Sequence, residues 1–383
     1  MMRTQVAIVG AGLAGLQAAR LLHAAKVAVV VLEARTRLGG RILTVNERGA
    51  PAADGFDLGP SWYWPRMQPA IAELIAELRL PAIGQHSEGD VIFERMSREG
   101  PQRYAGQAQE QLTFRLAGGS GALVHALARD LPRERVLPGA QVTAMTLLRD
   151  GRGGVELTIH RGDGTGTATD ERLLAECVIA AVPPRLLDAT VRFTPGLDPA
   201  TSRRWRETAT WMAPHAKFLA VYERPFWRDA GLSGTAQSMV GPMSEIHDAT
   251  TAAGRGALFG FLGVGAEQRA ALGEASLTRA CVDQLVRTFG PHAEHPRATL
   301  VKDWAADPLT ATAADHVASG HPAPRTDAWV SAPWSDGLVL GGSETSPSEP
   351  GYLAGAVIAA RQAVIATLRL LETRALDTGT ADS

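Results

Sequence analysis

The chain has 383 residues, 45% of them hydrophobic and 20% charged, so it can bury a large core, and we expect two intertwined domains. Its 38 lysines and arginines and 40 aspartates and glutamates leave a formal charge of −2. This balance argues against broad attraction to nucleic acid or acidic membranes. The composition excludes a disordered chain and favours a small molecule as the partner.

The cysteines and histidines suggest no metal site. Cys177 and Cys281 are far apart in sequence and lack metal-type spacing. We expect two buried thiols in a reducing compartment, with a disulfide as the weaker alternative. His86, His215 and His247 are isolated, so we interpret them as structural or surface residues.

The sequence gives no sign of export or membrane insertion. Residues 6–19 are apolar, but three glycines interrupt them, so we interpret this stretch as part of the fold and not as a secretion signal. No uninterrupted apolar run has membrane-spanning length, and residues 371–383 are polar. We expect a cytoplasmic protein.

The N-terminal pattern predicts a βαβ unit: a strand at 4–9, a helix at 13–25 and a strand at 27–33. The second strand is almost continuously apolar, which is typical of a parallel sheet covered on both faces. Further patterns predict helices starting at 69 and at 122–130, 276–289 and 351–371, a hairpin within 151–170, and strands at 177–182, 216–222, 257–262 and 337–341.

The first turn of the βαβ unit carries the strongest motif. Gly10, Gly12 and Gly15 lie where tight turning, close phosphate approach and helix packing each require the absence of a side chain. The start of the following helix offers N–H groups and partial positive charge to a pyrophosphate. Glu33 can accept hydrogen bonds from a ribose and would repel a 2′-phosphate, which favours FAD or NAD over NADP.

A second glycine turn follows directly, at residues 38–41. Gly39 and Gly40 allow another close backbone approach, and the Arg41 guanidinium can contact pyrophosphate oxygens through two parallel N–H bonds. A ligand such as FAD, which has a further segment next to its phosphates, would use both the glycine turn and the guanidinium. The alternative is a plain surface turn.

These residues resemble the flavin-containing amine oxidase family, which includes monoamine and polyamine oxidases. The resemblance spans nearly the whole chain in the expected order. It is carried by residues 6–41, 57–62 (DLGPSW), 118–121 (GGSG), 182–184 (VPP), 341–345 (GGSET) and 351–356 (GYLAGA).

The resemblance implies an α/β fold: a Rossmann-type FAD-binding domain of the glutathione reductase-like class with a discontinuous α+β substrate domain. We assign residues 1–80, 116–192 and 303–373 to the first, 81–115 and 193–302 to the second, and 374–383 to a flexible tail. The implied FAD-binding residues are Gly10, Gly12, Ala14, Gly15, Glu33, Ala34, Arg35, Gly40, Arg41, Gly59, Pro60, Ser61, Trp62, Val142, Gly342, Glu344, Tyr352 and Leu353.

Individual roles follow from the same resemblance. The Val142 backbone would meet the adenine, and Glu344 would lie near the ribityl or pyrophosphate region. From its glycine-rich turn alone, the alternative for Glu344 is a carboxylate that only caps a helix. Gly351 and Gly355 would let the closing helix begin close to the isoalloxazine.

Lys217 is the leading catalytic candidate. It interrupts an apolar predicted strand, where burial would lower the pKa of its ammonium. The resemblance implies that it holds a water against flavin N5. The alternative is a lysine on an amphipathic strand that faces solvent.

Tyr352 resembles one wall of the two-aromatic cage that flanks the substrate nitrogen, although a buried core tyrosine is the alternative. Trp304 fits the family's tryptophan near the flavin. The second cage wall should follow it, yet residues 307–314 contain no aromatic side chain. Trp62 or Trp64 could supply that face, or both could be ordinary packing.

Two further departures from the family pattern affect the expected chemistry. No cysteine lies near Ala313, where covalent members attach the flavin, so we expect non-covalent FAD. Trp62 stands where related amino-acid oxidases carry a carboxylate-binding arginine, which argues against a free α-amino acid, although Arg66 lies nearby in sequence.

The resemblance implies that the enzyme oxidises an amine C–N bond to an imine, with O2 as acceptor and H2O2 as product. It could also form a homodimer. Three alternatives remain at this stage: a desaturase or dehydrogenase acting on C–C bonds, an NAD-dependent dehydrogenase without flavin, and a flavin-binding protein without amine oxidase activity.

Overall fold

The structure, a computed structural model, describes residues 2–106, 112–148, 153–162, 168–317 and 320–381. Its packing divides the chain into two units, each assembled from separate stretches. The first unit comprises Met1–Arg41, Leu123–Trp211 and Gly320–Ser383. The second comprises Ile42–Ala122 and Met212–Ser319.

In chain order, the strands of the described residues are β1 Met2–Val9, β2 Val29–Glu33, β3 Thr44–Val45, β4 Phe56–Asp57, β5 Ala82–Gly84, β6 Asp90–Glu94, β7 Gln102–Tyr104, β8 Phe114–Leu116, β9 Val136–Pro138, β10 Gln141–Leu147, β11 Val155–Gly162, β12 Ala168–Ala180, β13 Arg192–Thr194, β14 Ala216–Tyr222, β15 Leu232–Ser238, β16 Met243–Asp248, β17 Gly256–Leu262, β18 Ala298–Asp303 and β19 Leu338–Leu340. The helices are α1 Leu13–Ala24, α2 Pro69–Glu77, α3 Gly121–Arg129, α4 Pro184–Thr190, α5 Pro199–Glu207, α6 Phe226–Asp229, α7 Ala266–Leu272, α8 Glu274–Phe289 and α9 Leu353–Ala381.

The first unit is built on one mixed sheet with the strand order β13-β10-β11-β12-β1-β2-β9, and β19 also pairs with β12. Strands β1, β2, β9, β12 and β19 run parallel to their neighbours in this set, and all five residues of β2 are buried. The predicted βαβ unit and its doubly covered strand are therefore confirmed.

The predicted hairpin and the predicted strand at 177–182 share one long strand, β12. It pairs antiparallel with β11 at one end and parallel with β19 at the other. The apolar pattern does not mark one continuous strand here, because residues 169–172 and Glu176 are polar, whereas residues 177–180 are continuously apolar and buried. The predicted turn cluster at 163–167 lies outside the described residues.

The second unit contains a largely antiparallel sheet with the order β18-β14-β17-β16-β15-β6-β7. All seven residues of β14 are buried, and its two faces enter different apolar clusters. Phe218 packs in a cluster with residues of α8, whereas Leu219 packs in a cluster with Phe56 and Leu58. Because side chains alternate along a strand, Lys217 lies on the face of Leu219.

The units divide at other residues than the sequence predicted. Residues 42–80 belong to the second unit because Val45 and Phe56 share an apolar cluster with strands of its sheet. Residues 193–211 belong to the first unit because β13 pairs with β10 and Trp205 is buried in the first unit's core. These pairings are long-range, so local sequence patterns did not reveal them.

The closing helix α9 extends to Ala381, so the described part of the predicted tail, residues 374–381, continues the helix that was expected to end at 371. The flexibility of this tail stays a prediction. Its segment Leu353–Leu376 is long and apolar enough to cross a membrane by length and composition. Half of the most apolar window of this segment is buried within the protein, and a core helix of a soluble protein meets the same criterion.

Candidate functional site

Protein packing explains two of the three glycines in the first turn. Gly10 has φ +100°, and a Cβ there would lie 2.8 Å from the Val182 side chain. A Cβ on Gly15 would lie 1.9 Å from the Gly10 carbonyl oxygen, which α1 packs against. Both positions need glycine whether or not a ligand binds.

Gly12 differs from its neighbours. Its φ of −74° suits any residue, and a Cβ there would meet only the Gly39 oxygen, at an ordinary 3.8 Å. Gly12 also caps α1 without a side chain, so the positive end of this helix is left for an anionic ligand. The protein leaves open the space that a Cβ would fill, as a cofactor pyrophosphate approaching the backbone requires.

Glu33 ties this turn to the end of β2. Its carboxylate accepts hydrogen bonds from the backbone N–H groups of Ala11, at 2.8 Å, and Arg35, at 2.9 Å. Each oxygen keeps a second acceptor position for a ribose hydroxyl. The Glu33 carbonyl accepts from Ala140, two residues before Val142 at the start of β10. The predicted ribose and adenine residues are thus close together in the fold.

The second glycine turn lies directly against the first. The Gly39 N–H donates to the Ala11 carbonyl at 2.8 Å. Gly40 has φ +58°, and a Cβ there would lie 3.4 Å from the Gly12 Cα. The two glycine turns therefore pack directly against each other, as a shared cofactor site would require.

Arg41 is held by three residues of the first unit. Its guanidinium donates to both oxygens of Glu344, at 2.6 and 3.1 Å, to the Ser343 hydroxyl and to the Trp211 carbonyl. These bonds use four of the five guanidinium N–H groups. One N–H is left for a phosphate, not the two parallel groups expected from sequence.

Glu344 is buried in a short 3₁₀ turn, Ser343–Thr345, and also accepts from the Trp211 N–H. It serves as the counter-ion of Arg41 and does not cap a helix. Gly342, just before it, is required by packing, since a Cβ would lie 2.8 Å from the Val182 carbonyl oxygen.

Tyr352 precedes Leu353, the first residue of α9, and is 37% exposed, which excludes the alternative of a buried core tyrosine. The neighbouring glycines have a different role from the one expected. A Cβ on Gly351 would lie 2.6 Å from the Trp211 side chain, and one on Gly355 would lie 1.7 Å from the Glu349 carbonyl oxygen. Contacts within the protein therefore explain both glycines without the isoalloxazine.

In the second unit, several residues that were predicted to form the site contact the segment 57–62. Asp57 accepts from the hydroxyl and the N–H of Ser120, within the second glycine-rich motif. The Trp304 indole donates to the Leu58 carbonyl at 3.1 Å. Gly59, Pro60, Ser61 and Trp62, predicted to bind the cofactor, all belong to this unit.

Lys217 is bound by two of these residues. Its Nζ donates to the Ser61 hydroxyl at 2.8 Å and to the Gly59 carbonyl at 3.2 Å. It also lies 4.0 Å from the centre of the Phe259 ring, a favourable cation–π distance. Lys217 is only 3% exposed, so the alternative of a solvent-facing lysine was wrong.

Burial controls the charge of this lysine. Desolvation lowers the pKa of Lys217 to about 7, against the opposing effect of Asp57 and with a contribution from the Arg115 cation. Desolvation also raises the pKa of Asp57 above its usual range, despite the hydrogen bonds it accepts. A lysine that is partly neutral near pH 7 can accept as well as donate a proton.

Trp62 packs within the second unit. Its ring contacts His247 edge-on at 4.8 Å and Phe259 at 5.3 Å, and its indole donates to Gln85 at 2.8 Å. The Trp64 indole donates to the Thr113 hydroxyl. These contacts favour a packing role for Trp62 and place His247 against it as a structural residue.

Comparison with known sequences identifies the family. The profile described as flavin containing amine oxidoreductase matches residues 87–366, and that of an NAD(P)-binding Rossmann-like domain matches residues 8–78. The chain belongs to the flavin containing amine oxidoreductase family.

Relatives of this amine oxidoreductase support the assignment. A putrescine oxidase from Kocuria rosea is 27% identical over 80% of this chain and 83% of its own length. Among solved structures, cyclohexylamine oxidase from Brevibacterium oxydans matches with a TM-score of 0.76 at 20% identity, and an engineered putrescine oxidase with 0.75 at 22%. Each alignment covers 96% of this chain and 99% of the other. The predicted Rossmann-type α/β class with a separate substrate domain is confirmed.

Sequence reasoning missed two rings of the amine oxidoreductase that lie near Tyr352. Trp211 and His321 belong to the same unit as Tyr352. The His321 ring is stacked on Tyr352 at 4.6 Å and lies 4.1 Å from Trp211. Both residues lie outside regular helices and strands, where no periodic pattern marks them.

Proposed function

We propose that this protein is an FAD-dependent amine oxidase that converts a small alkyl amine to an imine, with O2 reduced to H2O2. The family match over residues 87–366 carries this proposal, because that range includes both Lys217 and Tyr352. Relatives named for putrescine and cyclohexylamine support an alkyl amine as the substrate class. Nothing in these matches favours a C–C desaturase.

The first unit supplies groups that suit FAD. The open side of Gly12 and the N-terminal end of α1 fit a pyrophosphate, and Glu33 has acceptor positions for ribose hydroxyls. FAD, when bound, supplies the acceptor for the two electrons that leave the amine. The role of the protein is to bind FAD and the amine, to orient them and to exclude water from the site.

We propose that FAD is held without a covalent bond. Covalent attachment through a thioether needs a reactive thiol, and both cysteines of the chain are buried. Burial raises the pKa of Cys177 to about 11 and that of Cys281 to about 12, so neither forms a thiolate near neutral pH.

Lys217 is proposed to handle protons during turnover. With its pKa near 7 and two hydrogen bonds fixing its Nζ, it can orient a water and exchange a proton with it. Trp304, anchored to the Leu58 carbonyl, is proposed as a rigid wall beside the reacting groups. On the substrate side, the partly exposed Tyr352 ring is proposed to contact the amine.

The proposal is tested by the visible spectrum of the purified protein, followed by anaerobic titration with a panel of alkyl amines. We expect a yellow protein whose flavin absorbance bleaches with an amine, and H2O2 after air is admitted. A colourless protein that takes up no added FAD would overturn the cofactor assignment. A yellow protein that no amine bleaches would overturn the amine oxidase assignment.

A further inference from the structure

The ionisable groups buried around Lys217 include one cation too many. Asp57 lies in β4 and Arg115 in β8, and both side chains are buried, as Lys217 is. The three groups, called the buried trio below, act on one another: Asp57 on both cations, and Arg115 on Lys217. If all three were ionised, two buried cations would share a single carboxylate, which is costly in a poorly solvated interior.

Backbone pairing brings Arg115 to the segment that binds Lys217. Phe114, directly before Arg115, exchanges two backbone hydrogen bonds with Tyr63. Tyr63 follows Ser61 by two positions, and the Ser61 hydroxyl accepts from Lys217 Nζ at 2.8 Å. The two cations are therefore anchored to the same short stretch of the chain.

Arg115 has no carboxylate within hydrogen-bonding distance among the residues that the structure describes. Its guanidinium donates to the Thr250 carbonyl at 2.8 Å, and its Nε is buried without a hydrogen-bond partner. The Asp248 carboxylate acts on this charge from nearby, but Arg228 and the Trp227 indole already bind it at 2.9 Å. Because arginine keeps its proton in proteins, the buried charge of Arg115 is permanent.

The remaining titratable groups around Lys217 have partners of their own. On β18, Lys302 lies opposite Lys217 in the strand pairing and forms an ion pair with Asp307 at 2.8 Å. On β16, the His247 Nε2 lies 3.2 Å from a Glu245 oxygen. Between β14 and β16, β17 faces the ammonium with phenylalanine rings only. The charge of the lysine is therefore decided within the buried trio.

We propose that Arg115 is a positioning residue that favours the uncharged form of Lys217 near neutral pH, so that Nζ can accept a proton during turnover. This inference rests on the proposed function. When Asp57 is ionised, it balances the permanent charge of Arg115, and a protonated lysine would add an unbalanced one. When Asp57 is protonated, a charged lysine would face Arg115 with no anion between them. In both states the buried trio is most stable with a neutral lysine.

The test measures the charge of Lys217 directly, in the FAD-loaded protein. Lysines occur only at positions 26, 217 and 302, so labelling the lysine Cε with ¹³C gives three sets of NMR signals. The Lys217 signal is the one missing from Lys217→Met. In wild type it should change with pH around 7. A Lys217 signal that changes only near 10.5, the ordinary value, would overturn the proposal without any further variant.

Two variants separate the charge of Arg115 from its hydrogen bond. Arg115→Met removes both, whereas Arg115→Gln removes the charge and keeps an N–H donor for the Thr250 carbonyl. In each, the pH at which Lys217 titrates should rise by about one unit or more, because a buried cation is gone. Since Arg115→Gln keeps the hydrogen bond, it remains a test where Arg115→Met does not fold.

The matched control is Arg287→Met. It removes another guanidinium of the second unit that donates to a backbone carbonyl, that of Val240. The Lys217 titration should stay as in wild type. An unmoved Lys217 signal in a folded Arg115 variant would overturn the role of Arg115. A rise of the same size in Arg287→Met would also overturn it, because the shift would then follow from loosened packing.

A second readout connects the charge of Lys217 to the reaction. Protein reduced with stoichiometric dithionite, which needs no amine, is mixed with oxygenated buffer over a series of pH values. The pH at which the reoxidation rate changes should move upward in both Arg115 variants by the same amount as the NMR titration. If no amine bleaches the wild-type flavin, the proposed function fails, whereas the NMR titration still decides the role of Arg115.

Discussion

The Arg41 guanidinium and the Glu344 carboxylate form an ion pair at 2.6 Å, although 303 positions separate them in the chain. The pair joins the second glycine turn near the N-terminus to the glycine-rich turn before α9. It also binds both backbone polar groups of Trp211. This ion pair therefore fixes the position of two residues predicted to bind the cofactor, Arg41 and Glu344. It also fixes the backbone of Trp211, whose ring lies near Tyr352, the predicted wall of the substrate site.

Removing the cation of this pair should strongly destabilise the protein. Arg41→Ala leaves the buried Glu344 carboxylate without its counter-ion, which we expect to cost about 3–5 kcal/mol in urea unfolding of the cofactor-free protein. Arg172→Ala is the control, because it breaks a largely exposed pair with Glu156 and should cost less than about 1 kcal/mol. Equal, small losses in both variants would contradict a structural role for the Arg41 pair.

Gly12 and Gly15 should respond differently to alanine. Gly12→Ala meets no close protein atom, so it should fold with a loss of about 1 kcal/mol or less and bind FAD about 10- to 100-fold more weakly. Gly15→Ala places a Cβ 1.9 Å from the Gly10 oxygen and should destabilise the fold itself. FAD titration and thermal unfolding of both variants test this contrast.

The matched control for Gly12 is Gly265. It also precedes a helix with negative φ, −63°, and has open space around its Cα. Gly265→Ala should therefore leave FAD affinity unchanged. Wild-type affinity in Gly12→Ala would show that the open side of Gly12 does not face the cofactor.

Local patterns in the sequence were sufficient to predict part of the fold and part of the candidate site. The apolar run of β2 and the glycine spacing before α1 predicted the βαβ unit, because those signals lie within about 30 residues. Lys217 was found because a single charge interrupts an otherwise apolar strand. Its burial followed from the same pattern.

Long-range relationships could not be predicted. The Arg41–Glu344 pair, the bond from Lys217 to Ser61 and the stacking of His321 on Tyr352 join residues that no local periodicity connects. The two packing units differ from the predicted domains for the same reason, since the pairing of β13 with β10 is visible only in three dimensions. The resemblance to a family supplied residue types but not their partners.

Lys217→Met should slow the reaction of the reduced protein with O2. The variant removes a buried, hydrogen-bonded amine while keeping the side-chain volume, and we expect reoxidation to slow by roughly 10²-fold. The measurement is stopped-flow mixing of the amine-reduced protein with oxygenated buffer. An unchanged rate would refute the proposed role of Lys217.

Acid precipitation should release the flavin. Because both thiols are buried and their pKa values are raised, we expect FAD in the supernatant and a colourless pellet. Absorbance spectra of both fractions give the result. Yellow colour retained in the denatured pellet would show a covalent link through some other side chain.

The depressed pKa of Lys217 should make the stability of the cofactor-free protein rise with pH just above neutrality. The folded lysine loses its proton near pH 7, whereas the unfolded lysine keeps it until about 10.5. Between these values the unfolded chain binds more protons, so raising the pH favours the folded state. From pH 7 to 8.5 we expect a gain of ~1–2 kcal/mol in the free energy of unfolding.

The window ends at pH 8.5 because the raised pKa values of Cys177 and Cys281 act in the opposite direction once unfolded thiols ionise. Lys217→Met should remove the rise, and urea unfolding at pH 7.0, 7.75 and 8.5 measures it. Lys302→Met is the matched control. Lys302 lies opposite Lys217 in the pairing of β14 with β18, is half-buried and pairs with Asp307. Its loss should leave the increase of stability with pH intact. A flat wild-type profile would mean that Lys217 keeps its proton in the fold, and its proposed proton exchange near neutral pH would fail with it.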